Sequence, residues 1–323
     1  MDRVRIGVSR CLLGETVRWD GGHKRDRFLV ETFAAFVEWV PVCPEVESGL
    51  PVPRPTMRLE ASPRGGTLVN GVRVRLIAPR TGTDWTDELA GWSHRRAAGL
   101  SREALHGFVL KKDSPSCGLE RVKVYQEEGA AAKAGRGVFA EALLRECPNL
   151  PVEDEGRLTD PRLRENFIER VFAYRRLRDL FDGRWTVGDL VRFHTAHKLT
   201  LLAHQPVAYQ ALGRLVAGAK GRPRAEVRDH YARDFMQAMR HVATPSRHAN
   251  VLHHMMGHFR GALDDRARDE LLGLIDDHRL GLAPLVVPLT LLKHHARRLE
   301  VTYLLGQTYL DPHPKELALR NHV

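Results

Sequence analysis

The chain has 323 residues and a mass of 36.5 kDa, enough for two domains of ordinary size and too much for one small core. Hydrophobic residues make up 43% and charged residues 28%, which excludes a disordered or fibrous chain, and no run of eighteen apolar residues exists to span a membrane. With 50 basic against 40 acidic residues the formal charge is +10, a sign that favours polyanions such as RNA, DNA or anionic surfaces. The excess is shared, with 23 basic against 19 acidic residues in 1–150 and 27 against 21 beyond. Four cysteines do not make a disulfide framework, and the opening MDRVRIGVSRC shows no export signal. A cytoplasmic protein with reduced or metal-bound thiols is expected.

In chain order, Val4 to Ser9 (VRIGVS) reads as a short strand that runs into Arg10 and Cys11. Arg27 to Glu38 has the apolar spacing of a helix, and Trp39 to Cys43 (WVPVC) is a second strand-length run ending in cysteine. Gly66 to Leu76 carries Asn70-Gly71 between β-branched residues, a hairpin signal. Trp85 to Glu103 is an amphipathic helix, and Gly107 to Leu110 is a third strand leading into Lys111. Strands alternating with helices predict an α/β fold with a parallel, Rossmann-like doubly wound sheet, the hairpin being an insertion. Residues 1–150 form this domain. Leu150 to Pro161 is acidic and aperiodic and reads as a linker; with the Arg-rich helix Arg162 to Phe181 it makes up residues 151–184. Residues 185–323 read as an all-α domain with helices over 187–204, 206–219, 225–242, 246–259, 262–280 and 288–305, closed by a Pro-containing tail from Tyr309 to Val323.

Three cysteines follow these strands in turn contexts: Cys11 in SRCLLG, Cys43 in VPVCPEVESG and Cys117 in KKDSPSCG. Loops beyond the carboxyl ends of parallel strands line one crevice, so three thiols distant in sequence could meet there. Their spacings of 32 and 74 residues match no zinc-finger or ferredoxin pattern. The residues alone leave three readings open: buried core thiols, a zinc site, or a cubane cluster with one iron left for substrate. Glu45 and Glu47 follow Cys43, while Lys111, Lys112, Ser114 and Ser116 precede Cys117. A carboxylate beside an open metal site can deprotonate water, and a hydroxyl can pass a proton. Cys147 stands apart and reads as structural.

The segments SRCLLGETVRWDGGHK, CPEVESGLPVPRP and LKKDSPSCG resemble the signatures of the bacterial thiouracil desulfidase family, and the rest of the chain resembles the helical domain often fused behind it. The fused form is similar to the tRNA 4-thiouridine desulfidases. That resemblance implies a [4Fe–4S] cluster held by Cys11, Cys43 and Cys117, a catalytic Glu45 that activates water, a catalytic Ser114 that assists proton movement, and Lys111 at a family lysine position as a substrate-binding residue. The implied reaction is redox-neutral hydrolysis of 4-thiouridine in tRNA to uridine with release of hydrosulfide. Alternatives are a desulfidase for free thiouracil or thionucleotides, and a non-catalytic iron–sulfur or metal-sensing nucleic-acid binder.

The helical domain holds 14 of the 17 histidines and arginines such as Arg170, Arg175, Arg176, Arg222, Arg224, Arg228, Arg297 and Arg298. His194, His197, Arg247, His248, His254 and Tyr303 are candidates for an RNA-facing surface. The expected partner is tRNA carrying 4-thiouridine, with no membrane and no dedicated protein partner.

Overall fold

The computed structural model describes residues 3–126 and 129–322; Met1, Asp2, Glu127 and Glu128 of the first predicted domain and Val323 of the tail lie outside the described residues. The chain divides into two units, residues 1–159 and 160–323.

The first unit carries two sheets. Its strands are β1 (Val4–Ser9), β2 (Val37–Val42), β3 (Arg58–Ala61), β4 (Thr67–Val69), β5 (Val72–Ala78), β6 (Thr83–Asp84), β7 (Gly107–Leu110), β8 (Val122–Tyr125), β9 (Ala131–Gly135) and β10 (Val152–Asp154). Between them lie the helices α1 (Pro44–Glu47), α2 (Thr86–Leu100) and α3 (Val138–Glu146). One sheet is wholly parallel in the order β10-β7-β1-β2, so the strand order reverses between β1 and β7. Its two central strands read as near-continuous apolar runs, as strands buried on both faces do. The second sheet, mixed in direction, contains the hairpin. Asn70 and Gly71 both take positive φ, 47° and 78°, which lets a two-residue turn join Val69 directly to its partner Val72.

Several expectations change here. The segment 27–38 is not an α-helix: it winds as a short π-turn and a 3-10 turn and is already strand by Val37, because β2 pairs in register with all six residues of β1. The stretch 150–161 is not a free linker, since Val152–Asp154 hydrogen-bonds to β7 as an edge strand. Its acidic side chains concealed this: Glu153 and Asp154 are buried, with Arg157 held by Glu153 and its amide by Asp154. The hairpin belongs to a full second sheet, whose short strands β3, β8 and β9 show too little apolar alternation to be read alone.

The second unit is helical: α4 (Pro161–Phe181), α5 (Val187–Ala196), α6 (Lys198–His204), α7 (Pro206–Ala217), α8 (Arg224–Met239), α9 (Pro245–Met256), α10 (Asp265–Arg279), α11 (Val286–Arg298) and α12 (Thr302–Leu305). Helix starts follow capping chemistry. Asp160 accepts from the amides of Arg162 and Leu163 with Pro161 at the first position, and Thr186 with Asp189 forms a reciprocal box. The expected helix 187–204 breaks at His197, and 288–305 breaks where Glu300 turns to positive φ.

Helix α4 is no linker element. It buries Phe167, Ile168, Val171 and Phe172 together with the charged Glu165 and Glu169. Glu169 meets His204 Nε2 at 3.2 Å and Arg320 Nη2 at 3.6 Å, while Arg320 Nε donates to Glu165 at 3.0 Å. Burial by itself would raise the Glu169 pKa, but His204 and Arg320 outweigh it and hold the carboxyl well below its ordinary range. Burial would likewise lower His204, and Glu169 outweighs it to raise that imidazole above its ordinary 6.5. Glu169→Gln strands the buried cation, at a cost of about 3–5 kcal/mol. The stabilisation from the raised His204 is complete below pH 6.5 and is lost as pH rises through its elevated pKa; that from the depressed Glu169 is complete above 4.5 and fades only in strong acid. Thermal unfolding of wild type and Glu169→Gln is therefore expected to differ more at pH 6 than at pH 9, and an equal gap at both would remove the ion pair as the cause.

Candidate metal and catalytic site

Cys11 sits in the 3-10 turn Arg10–Leu13 directly after β1, Cys43 directly follows β2, and Cys117 lies in the turn beyond β7. Because these strands are parallel, all three turns emerge at one sheet edge, on either side of the strand-order reversal. The three thiols are free and buried, and they line one cavity of about 340 Å³. Glu45, Lys111, Ser114 and Ser116 line the same cavity. Cys147 ends α3 outside it.

Pro44 starts the single turn of α1, which aims Glu45 into the cavity, whereas Glu47 folds back to accept from the Cys43 amide at 2.8 Å. The Glu45 carboxylate is fixed from two sides. Ser116 Oγ donates to Oε1 at 2.6 Å, and the Arg54 guanidinium holds Oε2 through Nε at 2.8 Å and through Nη2. Arg54 is buried and also donates to the carbonyls of Pro51 and Val17. Ser114 Oγ accepts from the amides of Ser116 and Cys117 and lies 2.9 Å from Ser116 Oγ. Since the Ser116 hydrogen is committed to Glu45, Ser114 donates to Ser116, giving an unbroken line of hydroxyls that ends on a carboxylate.

Glycine makes this turn possible. A Cβ on Gly137 would lie 2.4 Å from the Ser116 carbonyl oxygen and 2.7 Å from the Cys117 nitrogen, so only glycine lets the start of α3 press against the cysteine loop. The Val138, Phe139 and Ala140 amides then close on the carbonyls of Pro115 and Ser116. Ser9, at the end of β1, accepts from the Lys111 amide at 3.0 Å, tying two strand ends together.

Burial pushes the Cys11 thiol up to about 12, with the neighbouring Cys43 adding to the rise; burial also raises Cys43 and Cys117. Thiols so placed keep their protons at neutral pH unless a cation replaces them, and a coordinating metal deprotonates a thiol outright. Among the described residues no three His, Cys, Asp or Glu side chains converge closely enough to hold a single metal ion. Three buried thiols lining one cavity of about 340 Å³ are donors of the kind that thiophilic metals take. The wall carries Arg10, Arg18, Lys24, Arg54, Lys111 and Lys112 against Glu45 and Asp113, an excess of positive charge that favours thiolates over thiols. The Lys111 ammonium is already paired with Glu155.

Local sequence does not mark the roles of three residues of this constellation. Ser9 in SRC and Arg54 in PVPRP carry no local signal, and nothing near Ser116 in sequence shows its link to Glu45. No local pattern marks an arginine as the partner of a carboxylate nine positions earlier across a loop.

A family model described as 2-thiouracil desulfurase matches residues 6–155, and one described as a protein of unknown function, DUF1722, matches residues 198–314. The chain is 33% identical over 161 residues to the uncharacterized protein YbgA of Escherichia coli (strain K12), covering 50% of this chain and 95% of that one. Among solved structures it is 31% identical to the [4Fe-4S]-dependent thiouracil desulfidase TudS, covering 49% of this chain and 94% of that one with a TM-score of 0.38. Residues 6–155 thus form a domain of the 2-thiouracil desulfurase type. A DUF1722 segment follows that domain.

In the second unit, His194, His197 and His248 are buried and offer no RNA-facing surface. His194 bonds the Tyr231 hydroxyl, His197 the Phe193 carbonyl and His248 the Tyr309 hydroxyl. Helical spacing could not separate these from solvent-facing histidines. His254 is exposed, and Tyr303 stacks on the exposed His258 at 4.8 Å. Arg170 and Arg176 turn inward, whereas Arg222, Arg224, Arg228, Arg297 and Arg298 are exposed. No helix of the described residues is long and apolar enough to cross a membrane.

Proposed function

We propose that this chain is a [4Fe–4S]-dependent desulfidase that exchanges the sulfur of a thiolated uracil ring for oxygen. The observation that carries the reading is the convergence of Cys11, Cys43 and Cys117 on one cavity with Glu45 and the Ser114–Ser116 pair. The family match and the cluster named for TudS support the same chemistry. The strand-order reversal flanked by Cys11 and Cys117 supports a Rossmann-like, doubly wound reading of the parallel sheet.

Held by the three thiolates, such a cluster would supply one open iron as a Lewis acid toward the C–S bond. Glu45, oriented by Arg54 and Ser116, takes a proton from the attacking water. Ser114 carries a proton between the ring and the hydroxyl line. Lys111, tethered by Glu155, contributes positive charge to the substrate wall. Water adds at the carbon bearing sulfur, the C–S bond breaks, and hydrosulfide leaves with no net oxidation or reduction. Free cysteines of this kind suit the reducing cytoplasm.

Free thiouracil is the substrate that the relatives' names support best. A second reading, 4-thiouridine within tRNA as substrate and partner, is favoured by the basic excess and exposed arginines of the second unit. Anaerobic reconstitution followed by incubation with 2-thiouracil and 4-thiouracil, and separately with thiolated tRNA, tests both. Sulfide release should match the loss of thiobase absorbance in the near ultraviolet. Turnover of tRNA would fall steeply, by a factor of about 10³ or more, between about 50 and 200 mM salt if six or more phosphates are gripped, while turnover of the free base would hardly change. Release from the free base alone discards the tRNA reading. An intact cluster that releases sulfide from neither overturns the desulfidase reading in favour of a sensor.

A further inference from the structure

Among the described residues a single aromatic residue, Trp19, lines the cavity that holds the three thiols, and it is 45% exposed. It is the only aromatic among the large hydrophobic side chains left exposed in the described residues. The other four tryptophans all have packing partners. Trp39 meets Phe33 edge-on at 5.8 Å, Trp92 lies 5.8 Å from Phe139, Trp185 lies 5.1 Å from Phe181, and Trp85 packs against the core under the second sheet. Among the described residues the Trp19 ring stacks on no other aromatic side chain. Leaving an indole so exposed forfeits the burial of one of the largest apolar surfaces a residue offers, and an unpartnered flat face beside a site calls for a flat ligand.

The segment that carries Trp19 is anchored. The Arg54 amide donates to the Trp19 carbonyl at 2.9 Å, and the Arg18 and Gly21 amides close the turn around it. The same Arg54 holds Glu45 through its side chain, so one residue fixes both the aromatic wall and the carboxylate. We infer that Trp19 is the stacking platform for the pyrimidine ring of the substrate, and that it sets affinity for the ring rather than the rate of C–S cleavage. This inference rests on the desulfidase reading for the identity of its ligand. Its physical ground is that every pyrimidine presents a π face, and stacking on an aromatic side chain is indifferent to whether position 4 carries sulfur or oxygen.

Two measurements on the reconstituted enzyme test it. In steady-state turnover of 4-thiouracil, Trp19→Ala should raise KM roughly tenfold or more, with kcat changed less than about threefold, and Trp19→Phe should restore most of the affinity. In equilibrium titration with uracil, which has no sulfur to lose, wild type should show quenching of tryptophan fluorescence that Trp19→Ala and Trp19→Phe both lack, while dialysis shows that only the alanine variant has lost affinity. Iron content, measured in parallel, should be the same in all three proteins. Unchanged uracil affinity in Trp19→Ala overturns the inference even if the enzyme turns over. Lost uracil affinity in an enzyme that releases no sulfide from any thiolated uracil keeps the platform and overturns the desulfidase reading instead.

Discussion

Cys117→Ala is expected to abolish both iron retention and sulfide release, because one of only three thiols on the cavity is removed. Loss of partners beyond the ligands themselves already costs metal sites about 10- to 100-fold, and loss of a ligand should exceed this. The fold should survive the change. The Cys117 loop is held by backbone bonds from Gly118 to Ser114, and from Val138 and Phe139 to Pro115 and Ser116, none of which uses the thiol. Iron analysis and visible absorbance after anaerobic reconstitution, with circular dichroism as a control for folding, measure the effect. Full iron content in a folded Cys117→Ala protein would remove this residue from the ligand set. Cys147→Ala serves as the internal comparison: its side chain is outside the cavity and its replacement should leave iron content unchanged.

Glu45→Gln should separate chemistry from cluster assembly. The substitution keeps the shape of the side chain and leaves the three thiols untouched, so iron content should match wild type. A positioned general base contributes typically 10²–10⁴-fold, so turnover should fall by about that factor at unchanged iron. The amide oxygen can still accept from Ser116, but the amide nitrogen then takes the place of Oε2, the one oxygen both Arg54 donors share, and cannot accept from them. Arg54 is buried and keeps only its two carbonyl acceptors, so a loss of stability of up to about 3–5 kcal/mol should accompany the loss of activity. Turnover within threefold of wild type at full iron occupancy would exclude Glu45 as the base and move attention to the hydroxyl line.

The two experiments bear on different halves of one arrangement. Without a metal the three cysteines are poor nucleophiles and poor ligands, since burial raises each of them and Cys43 adds to the rise in both Cys11 and Cys117. A positively charged centre reverses that balance. The polar groups beside them are already satisfied by protein: Glu45 by Arg54 and Ser116, Lys111 by Glu155, and Ser114 by two amides. Groups satisfied in advance leave little reorganisation for a reacting step.

Much of the first unit was legible from local pattern. The strands at Val4–Ser9 and Gly107–Leu110 announced themselves as apolar runs, and Asn70-Gly71 announced its hairpin, because each signal is contained within a few residues. The three cysteines were legible as strand-end residues for the same reason. Elements stabilised by distant partners were not. Val152–Asp154 looks like an acidic linker until its buried carboxylates are seen with Arg157 and its backbone with β7. Helix α4 looks like a solvated Arg-rich helix until Glu165 and Glu169 are seen with Arg320 and His204, residues more than 30 positions away.

By itself the sequence determined the two-part organisation, the nature of the donor atoms and their place at the ends of parallel strands, since these follow from short-range periodicity and residue chemistry. It could not determine that the three thiols share one cavity, that Ser116 links Ser114 to Glu45, that Arg54 holds that carboxylate, or that Trp19 faces the same space. Those are through-space relations between segments up to about a hundred residues apart, created by strand pairing and loop closure. The same limit explains the histidines of the second unit. Helical spacing indicates which residues share a face, and only packing of that face against its neighbours decides whether it meets solvent or core.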